Sequence, residues 1–109
     1  LPGVPVLIEN DANLAGLAET RLLRTIPNCS LYVTVSNGIG TGVCTNGYID
    51  PGMRYSEAGR ALVEYGGKIH SWESFASGRA IVDAYHKFAR DITSKRTWKK
   101  IADRISRGF

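Results

Sequence analysis

Between Leu31 and Pro51 the sequence permits little besides short strands joined by tight turns. Leu31, Val33 and Val35 alternate with Tyr32, Thr34 and Ser36, the period of two that marks a half-buried strand. Glycines follow at 38, 40 and 42, and apolar residues resume at Val43. Asn46-Gly47 is the strongest short hairpin signal available, because a type I′ turn needs positive φ at both central positions. Tyr48 and Ile49 then lead to a Pro51-Gly52 turn. The segment is expected to be a β-meander with a glycine-rich first turn.

Helical spacing lies on either side. Val4–Glu9 is a short apolar run of the size of a buried strand, and it stops at Asn10-Asp11. Leu14, Leu17, Ala18 and Leu22 follow with the spacing of one helical face. Asn10 or Asp11 can cap that helix, since a short side-chain oxygen accepts an orphan N–H of the first turn. The helix is expected from about Ala12 to Arg24, and Pro27 prevents its continuation. Residues 53–72 are loosely patterned. Phe75, Ile81, Val82, Tyr85, Phe88, Ala89 and Ile92 form a stripe over about Ser74–Ile92, and Trp98, Ile101, Ala102 and Ile105 form another from Thr97, ending near Gly108. The order β-α-βββ-loop-α-α predicts a mixed α/β piece.

The 109 residues suffice for one modest domain. With 43% hydrophobic and 22% charged residues the chain is neither collagen-like nor plainly disordered. Its apolar runs are far shorter than the roughly 18 residues a membrane span needs, and no signal-peptide pattern opens it. Cys29 and Cys44 are too few for a disulfide framework or a four-cysteine zinc site, so reduced thiols and a cytoplasmic location are expected. The chain opens on Leu1 rather than Met, which suggests a piece of a longer polypeptide. Residues 1–78 carry five Lys/Arg against seven Asp/Glu, net −2, whereas residues 79–109 carry nine against three, net +6. A basic tail can mark nucleic-acid binding. Interleaving with an apolar stripe favours a solvated helical face instead, so neither nucleic acid nor membrane is expected as a partner.

Three segments could carry chemistry. Glu9-Asn10-Asp11-Ala12-Asn13 stands at a strand-to-helix junction, where α/β proteins place ligands. An Asp kept ionised by helix amides can serve as a general base, although Asp11 can equally be a helix cap. Ser36-Asn37-Gly38-Ile39-Gly40-Thr41-Gly42 follows a strand, and its alternate glycines let backbone N–H groups approach an anion. It is neither a P-loop nor a dinucleotide fingerprint, and a plain glycine-rich hairpin reads the same way. Trp72-Glu73 opens an amphipathic helix, where a carboxylate is favoured by the dipole alone. His70 and His86 stand isolated, and no metal site is expected.

Together these segments resemble the ROK family of sugar kinases and sugar-sensing repressors. Glu9–Asn13 resembles the family's Glu-Asn-Asp-Ala-Asn segment, Tyr32–Pro51 its second phosphate-binding hairpin, and Glu73-Ser74-Phe75-Ala76-Ser77-Gly78 its Glu-x-x-x-Ser-Gly. The likeness covers residues 1 to about 90. It implies the actin-like ATPase (ribonuclease H-like) fold, present in part and spanning the junction of two domains. Residues 1–27 would end the small domain and 28–109 would begin the large one. It further implies ATP-dependent phosphorylation of a hexose hydroxyl, with Mg2+. Asp11 would be the base, Asn10 and Glu73 would bind the sugar, and Asn37, Gly38, Gly40 and Thr41 would lie under the ATP phosphates. The intact protein leaves room for a homodimer.

The departures are specific. Arg60 and Val63 stand where the family has a sugar-binding Glu and His, and Asn37 replaces a more usual Thr. The cysteine-rich zinc loop is replaced by Glu64–Ser71, so no structural zinc is expected. The family's amino-terminal Asp-x-Gly-Gly-Thr hairpin and its adenosine loop have no counterpart here. This piece alone is therefore not expected to turn over ATP. The alternative to a kinase is a sugar-sensing regulator or degenerate kinase that binds without catalysis.

Overall fold

The computed structural model describes residues 2–109. Contacts gather the chain into two compact units, one running to Tyr32 and including Gly42–Tyr55, the other made of Val33–Thr41 and Ser56–Phe109. A three-stranded sheet in the order β1-β2-β3 is built from β1 (Cys29–Val35), β2 (Ile39–Thr45) and β3 (Tyr48–Ile49).

In the first unit, α1 spans Asp11–Leu22. Its amino-terminal boundary is set by Asn10, whose Oδ1 accepts the backbone N–H groups of Ala12 (2.9 Å) and Asn13 (3.3 Å). The helix stops two residues before Arg24, at an extended Leu23. Its buried face is not the expected leucine stripe. Ala12, Asn13, Gly16 and Thr20 are buried, while Leu14 and Leu22 are exposed. Small residues win that face because the strand backbone comes very near: a Cβ on Gly42 would collide with the Ala12 carbonyl oxygen. Hydrogen bonds fasten the same side, between Thr20 Oγ1 and Ser30 Oγ (2.6 Å) and from Arg21 Nε to the Gly47 carbonyl (2.6 Å). The Arg21 guanidinium also lies 4.6 Å from the centre of the Tyr48 ring.

The β2–β3 hairpin turns at Asn46 (φ 51°) and Gly47 (φ 80°), as its sequence requires, and pairs Cys44 with Ile49 and Thr45 with Tyr48. Val4–Glu9, expected as a strand, has no regular structure, and Leu7 and Ile8 are 95% and 87% exposed. An apolar run becomes a strand only when a neighbouring strand takes up its backbone hydrogen bonds, and the described residues supply none.

The second unit contains a hairpin within the loosely patterned residues 53–72. After a single 3-10 turn at Ala58–Arg60, β4 (Leu62–Tyr65) and β5 (Lys68–Ser71) form an antiparallel hairpin, with Gly66 and Gly67 both at positive φ in the turn. The expected single helix over Ser74–Ile92 is divided into α2 (Trp72–Ala76), α3 (Gly78–Tyr85) and a 3-10 turn at Ala89–Asp91. Ser77 makes the first break, because its Oγ accepts the Ala80 N–H (3.2 Å) and so starts a new helix. His86, at φ 52°, ends α3. Helix α4 spans Lys95–Ser106 and begins at Ser94, whose Oγ accepts the Thr97 N–H.

Two apolar clusters hold this unit together. Ile39, Trp72, Phe75 and Ala76 pack with Val33, Val63, Tyr65 and Ile105 around them. Ile81, Ile92 and Ile101 form the second, and Ile105 touches both. Each tryptophan N–H finds an acceptor: that of buried Trp72 donates to the Ile105 carbonyl (3.1 Å) and that of exposed Trp98 to the Ile92 carbonyl (2.7 Å).

Candidate functional site

The sequence-derived residues fall into two groups, one in each unit. In the first, Asn10 and Asp11 stand together at the start of α1. The choice between them as cap resolves in favour of Asn10, which uses its carbonyl oxygen on the helix amides. Asp11 is exposed, and its Oδ1 accepts the N–H of Ala12 (2.8 Å). That bond fixes the direction of an accessible carboxylate at the positive end of a helix.

Beneath this pair lies a network invisible in the local motif. Glu9 Oε1 accepts Asn13 Nδ2 (2.9 Å) and the Asn10 backbone N–H (2.9 Å), while its other oxygen pairs with Arg54 Nε (2.6 Å). Asn13 Nδ2 also donates to the Arg54 carbonyl (2.8 Å). These bonds, led by that from Asn13, hold the Glu9 carboxyl below its ordinary range. Glu9 and Asn13 thus brace the backbone that carries Asn10 and Asp11. Arg54 is too distant in sequence for any spacing rule to have found it.

In the second unit, Glu73 lies against the turn after β1. Its Oε2 accepts the Ile39 backbone N–H (3.3 Å). A Cβ on Gly38 would stand 2.8 Å from that oxygen, and one on Gly59 would stand 3.1 Å from it and collide with the Ile39 carbonyl. Glycine at these positions is what lets the carboxylate settle on the turn. Asn37, Gly38 and Glu73 line one open cleft of about 410 Å3, together with Ser77, Arg79 and Asp83. Asn37 and Arg79 also border a neighbouring cleft of about 380 Å3. Arg79 brings a cation to the turn and was missed in the sequence, where it reads as one more charge in an amphipathic helix.

Gly40 and Thr41 belong to β2 and line neither cleft. Thr41 is buried, and its Oγ1 has no hydrogen-bond partner among the described residues. Of the two departures, Arg60 is exposed in the 3-10 turn, and Val63 packs against the Trp72–Phe75 cluster, opposite His70 on β5. His70 in turn sets its ring edge-on to Phe75. Among the described residues no three of His, Cys, Asp and Glu gather as metal ligands, and Cys29 and Cys44 are free thiols. Among the described residues no helix is long and apolar enough to cross a membrane.

Comparison with known proteins gives a consistent picture. Residues 2–107 match the ROK family. Over 96 residues the chain is 34% identical to polyphosphate glucokinase of Mycobacterium tuberculosis (strain CDC 1551 / Oshkosh), covering 85% of this chain and 34% of that protein. It is also 34% identical to N-acetylmannosamine kinase of Citrobacter koseri, over 77% of this chain and 32% of that one. Identity is again 34% to the xylose repressor of Bacillus subtilis, over 72% and 23%. The crystal structure of ROK hexokinase from Thermus thermophilus aligns with a TM-score of 0.68 at 29% identity, over 97% of this chain and 42% of that one. The chain therefore spans about a third of the length of these relatives. Its α/β arrangement is part of the actin-like ATPase fold.

Proposed function

Because the chain belongs to the ROK family, we propose that it is the central piece of a sugar kinase that transfers a phosphoryl group from ATP to a hexose hydroxyl. The observation that carries this reading is Asp11: an exposed carboxylate at a helix amino terminus, aimed by the Ala12 N–H and braced from below by Glu9, Asn13 and Arg54. A base must be fixed within reach of the proton it removes, and phosphoryl transfer depends mainly on positioning and charge stabilisation. Asp11 takes the proton of the attacking hydroxyl. Asn10, its oxygen engaged in capping, offers its amide N–H groups to the sugar. Glu73 accepts from a second hydroxyl while its Oε2 stays on the Ile39 N–H.

The turn at Asn37-Gly38 is the part that would face the phosphates, since an exposed amide and the Arg79 cation share its cleft, where they offset the carboxylates of Glu73 and Asp83. Gly40 and Thr41 support that turn from β2. ATP, with Mg2+, supplies the transferable phosphoryl group when bound. The same reading gives residues 1–27 to the end of a small domain and 28–109 to the start of a large one, in a cytoplasmic protein.

A second reading, a sugar-responsive regulator, is favoured by Val63 and Arg60. The first is committed to core packing and the second is exposed beside Glu57, so neither supplies the hydrogen bonds to a sugar hydroxyl that sustain discrimination. Relatives of both kinds, kinases and repressors, match the chain. Sugar-dependent ADP release by the intact polypeptide, over a panel of hexoses, separates the two. Turnover with one sugar supports the kinase; sugar binding without turnover supports the regulator.

A further inference from the structure

A cleft of about 650 Å3 on the second unit lies away from the Asn37-Gly38 turn and takes no part in the proposed reaction. It is bordered by Tyr65 of β4, Tyr85 of α3 and the α4 residues Arg96, Lys99, Lys100 and Arg104. Asp103 is the sole acidic side chain on its lining, and that carboxylate faces Arg107 (3.5 Å). The volume lies in the range of small-molecule sites, about 300–1,000 Å3.

Arg104 in the last turn and Lys99 four residues before Asp103 favour the helix, but the other charges do not. Arg96 and Lys100, like Lys100 and Arg104, stand four residues apart, where like charges repel and destabilise. The first turn of α4 holds Lys95 and Arg96 with no acidic residue, against the preference of a helix amino terminus. Among the described residues none of the four cleft cations forms an ion pair with a carboxylate. A face so dense in Lys and Arg is not core surface awaiting another part of the fold, and α4 already buries its apolar side through Ile101 and Ile105.

One cation is held in place before any ligand arrives. Arg104 lies 5.7 Å from the centre of the Tyr65 ring and 5.3 Å from that of Tyr85, and its Nη1 donates to the Phe75 carbonyl (3.4 Å). A planar guanidinium anchored in this way keeps donors free for phosphate oxygens. The tyrosines are also engaged, since Tyr65 stacks on Phe75 at 4.4 Å and both rings face Arg104. That leaves little open ring surface for a base to stack on, as single-stranded nucleic acid would require.

The geometry points to a binding site for a condensed phosphate chain, either inorganic polyphosphate or the triphosphate of a nucleotide, in the cleft between α4 and the Tyr65–Tyr85 pair. The site is separate from the Asn37 turn and does not depend on the kinase reading. It is tested on the intact polypeptide by calorimetric titration with inorganic polyphosphate, ATP and a short single-stranded RNA. Each titration is done at two salt concentrations, for the wild type and for the double variant Lys99→Ala, Lys100→Ala, with circular dichroism to confirm that α4 persists.

The expected result is polyphosphate binding that weakens at least about tenfold in the variant and depends less steeply on salt, because two released counterions are lost. An equal loss for ATP assigns the site to nucleotide triphosphates; loss for polyphosphate alone assigns it to the inorganic chain. Wild type and variant binding both phosphate ligands alike would overturn the proposal. So would the absence of binding, or RNA binding more tightly than either through the same lysines.

Discussion

Glu73 and Ile39 are joined by a hydrogen bond from the Ile39 backbone N–H to Glu73 Oε2, at 3.3 Å. Through it, helix α2 holds the turn that follows β1, and a side chain expected at a sugar or simply in the first turn of a helix also organises the neighbouring cleft.

Replacing Glu73 by Ala leaves the N–H of buried Ile39 without its partner. The cost expected is about 1–3 kcal/mol, the penalty for an unsatisfied donor. Glu73→Gln keeps an acceptor oxygen and is expected to lose less than about 1 kcal/mol. Urea denaturation of the two variants in the intact polypeptide checks the difference. Equal losses would mean that the carboxylate does not hold the turn.

The close approach between Gly42 and the Ala12 carbonyl gives a second expectation. Gly42→Ala must push α1 away from β2, at a cost of about 1–3 kcal/mol as in other overpacked sites. Because Asn10 and Asp11 ride on the start of α1, the variant is also expected to weaken sugar binding. Titration with the sugar that supports turnover measures this, and unchanged affinity and stability would show that the contact is slack.

Acid should act through Glu9. Its carboxyl is depressed in the folded chain, first by Asn13, then by the Asn10 N–H, with Arg54 adding to the effect. The unfolded chain therefore binds this proton at higher pH than the folded one. The stability contributed is complete above the ordinary value of 4.5 and is lost as pH falls through the folded value. Asp50 behaves alike from its ordinary 3.8, chiefly through the Thr45 hydroxyl and then the Met53 N–H. Glu9→Gln is expected to flatten the upper part of the acid limb and leave the Asp50 part. Denaturation midpoints across that range test it, and parallel curves for wild type and variant would contradict it.

Much of this was legible where a residue's own backbone need decides the outcome. Asn46-Gly47 turns because both positions require positive φ, and Asn10 caps because its oxygen reaches two amides of the first turn. Periodicity failed where something besides burial decides. The apolar stripe continues through Ser77, yet a hydroxyl that can cap Ala80 divides the helix. Leu14 and Leu22 follow helical spacing, but the strand backbone admits only small residues on that side of α1. The β4–β5 hairpin carried a Gly-Gly turn signal, weakened by exposed Leu62 and Ile69, which give its strands no clear apolar face. Arg54 and Arg79 reach their sites only through tertiary structure.

The most direct test of the central claim is sugar-dependent ADP release by the intact polypeptide carrying Asp11→Asn, beside the wild type, with sugar binding measured in parallel. Asn is isosteric with Asp and can keep the bond to the Ala12 N–H. The account predicts that turnover is lost by a factor of at least about 100, the usual contribution of a positioned base, while sugar affinity and fold persist. Near-normal turnover in that variant would contradict it.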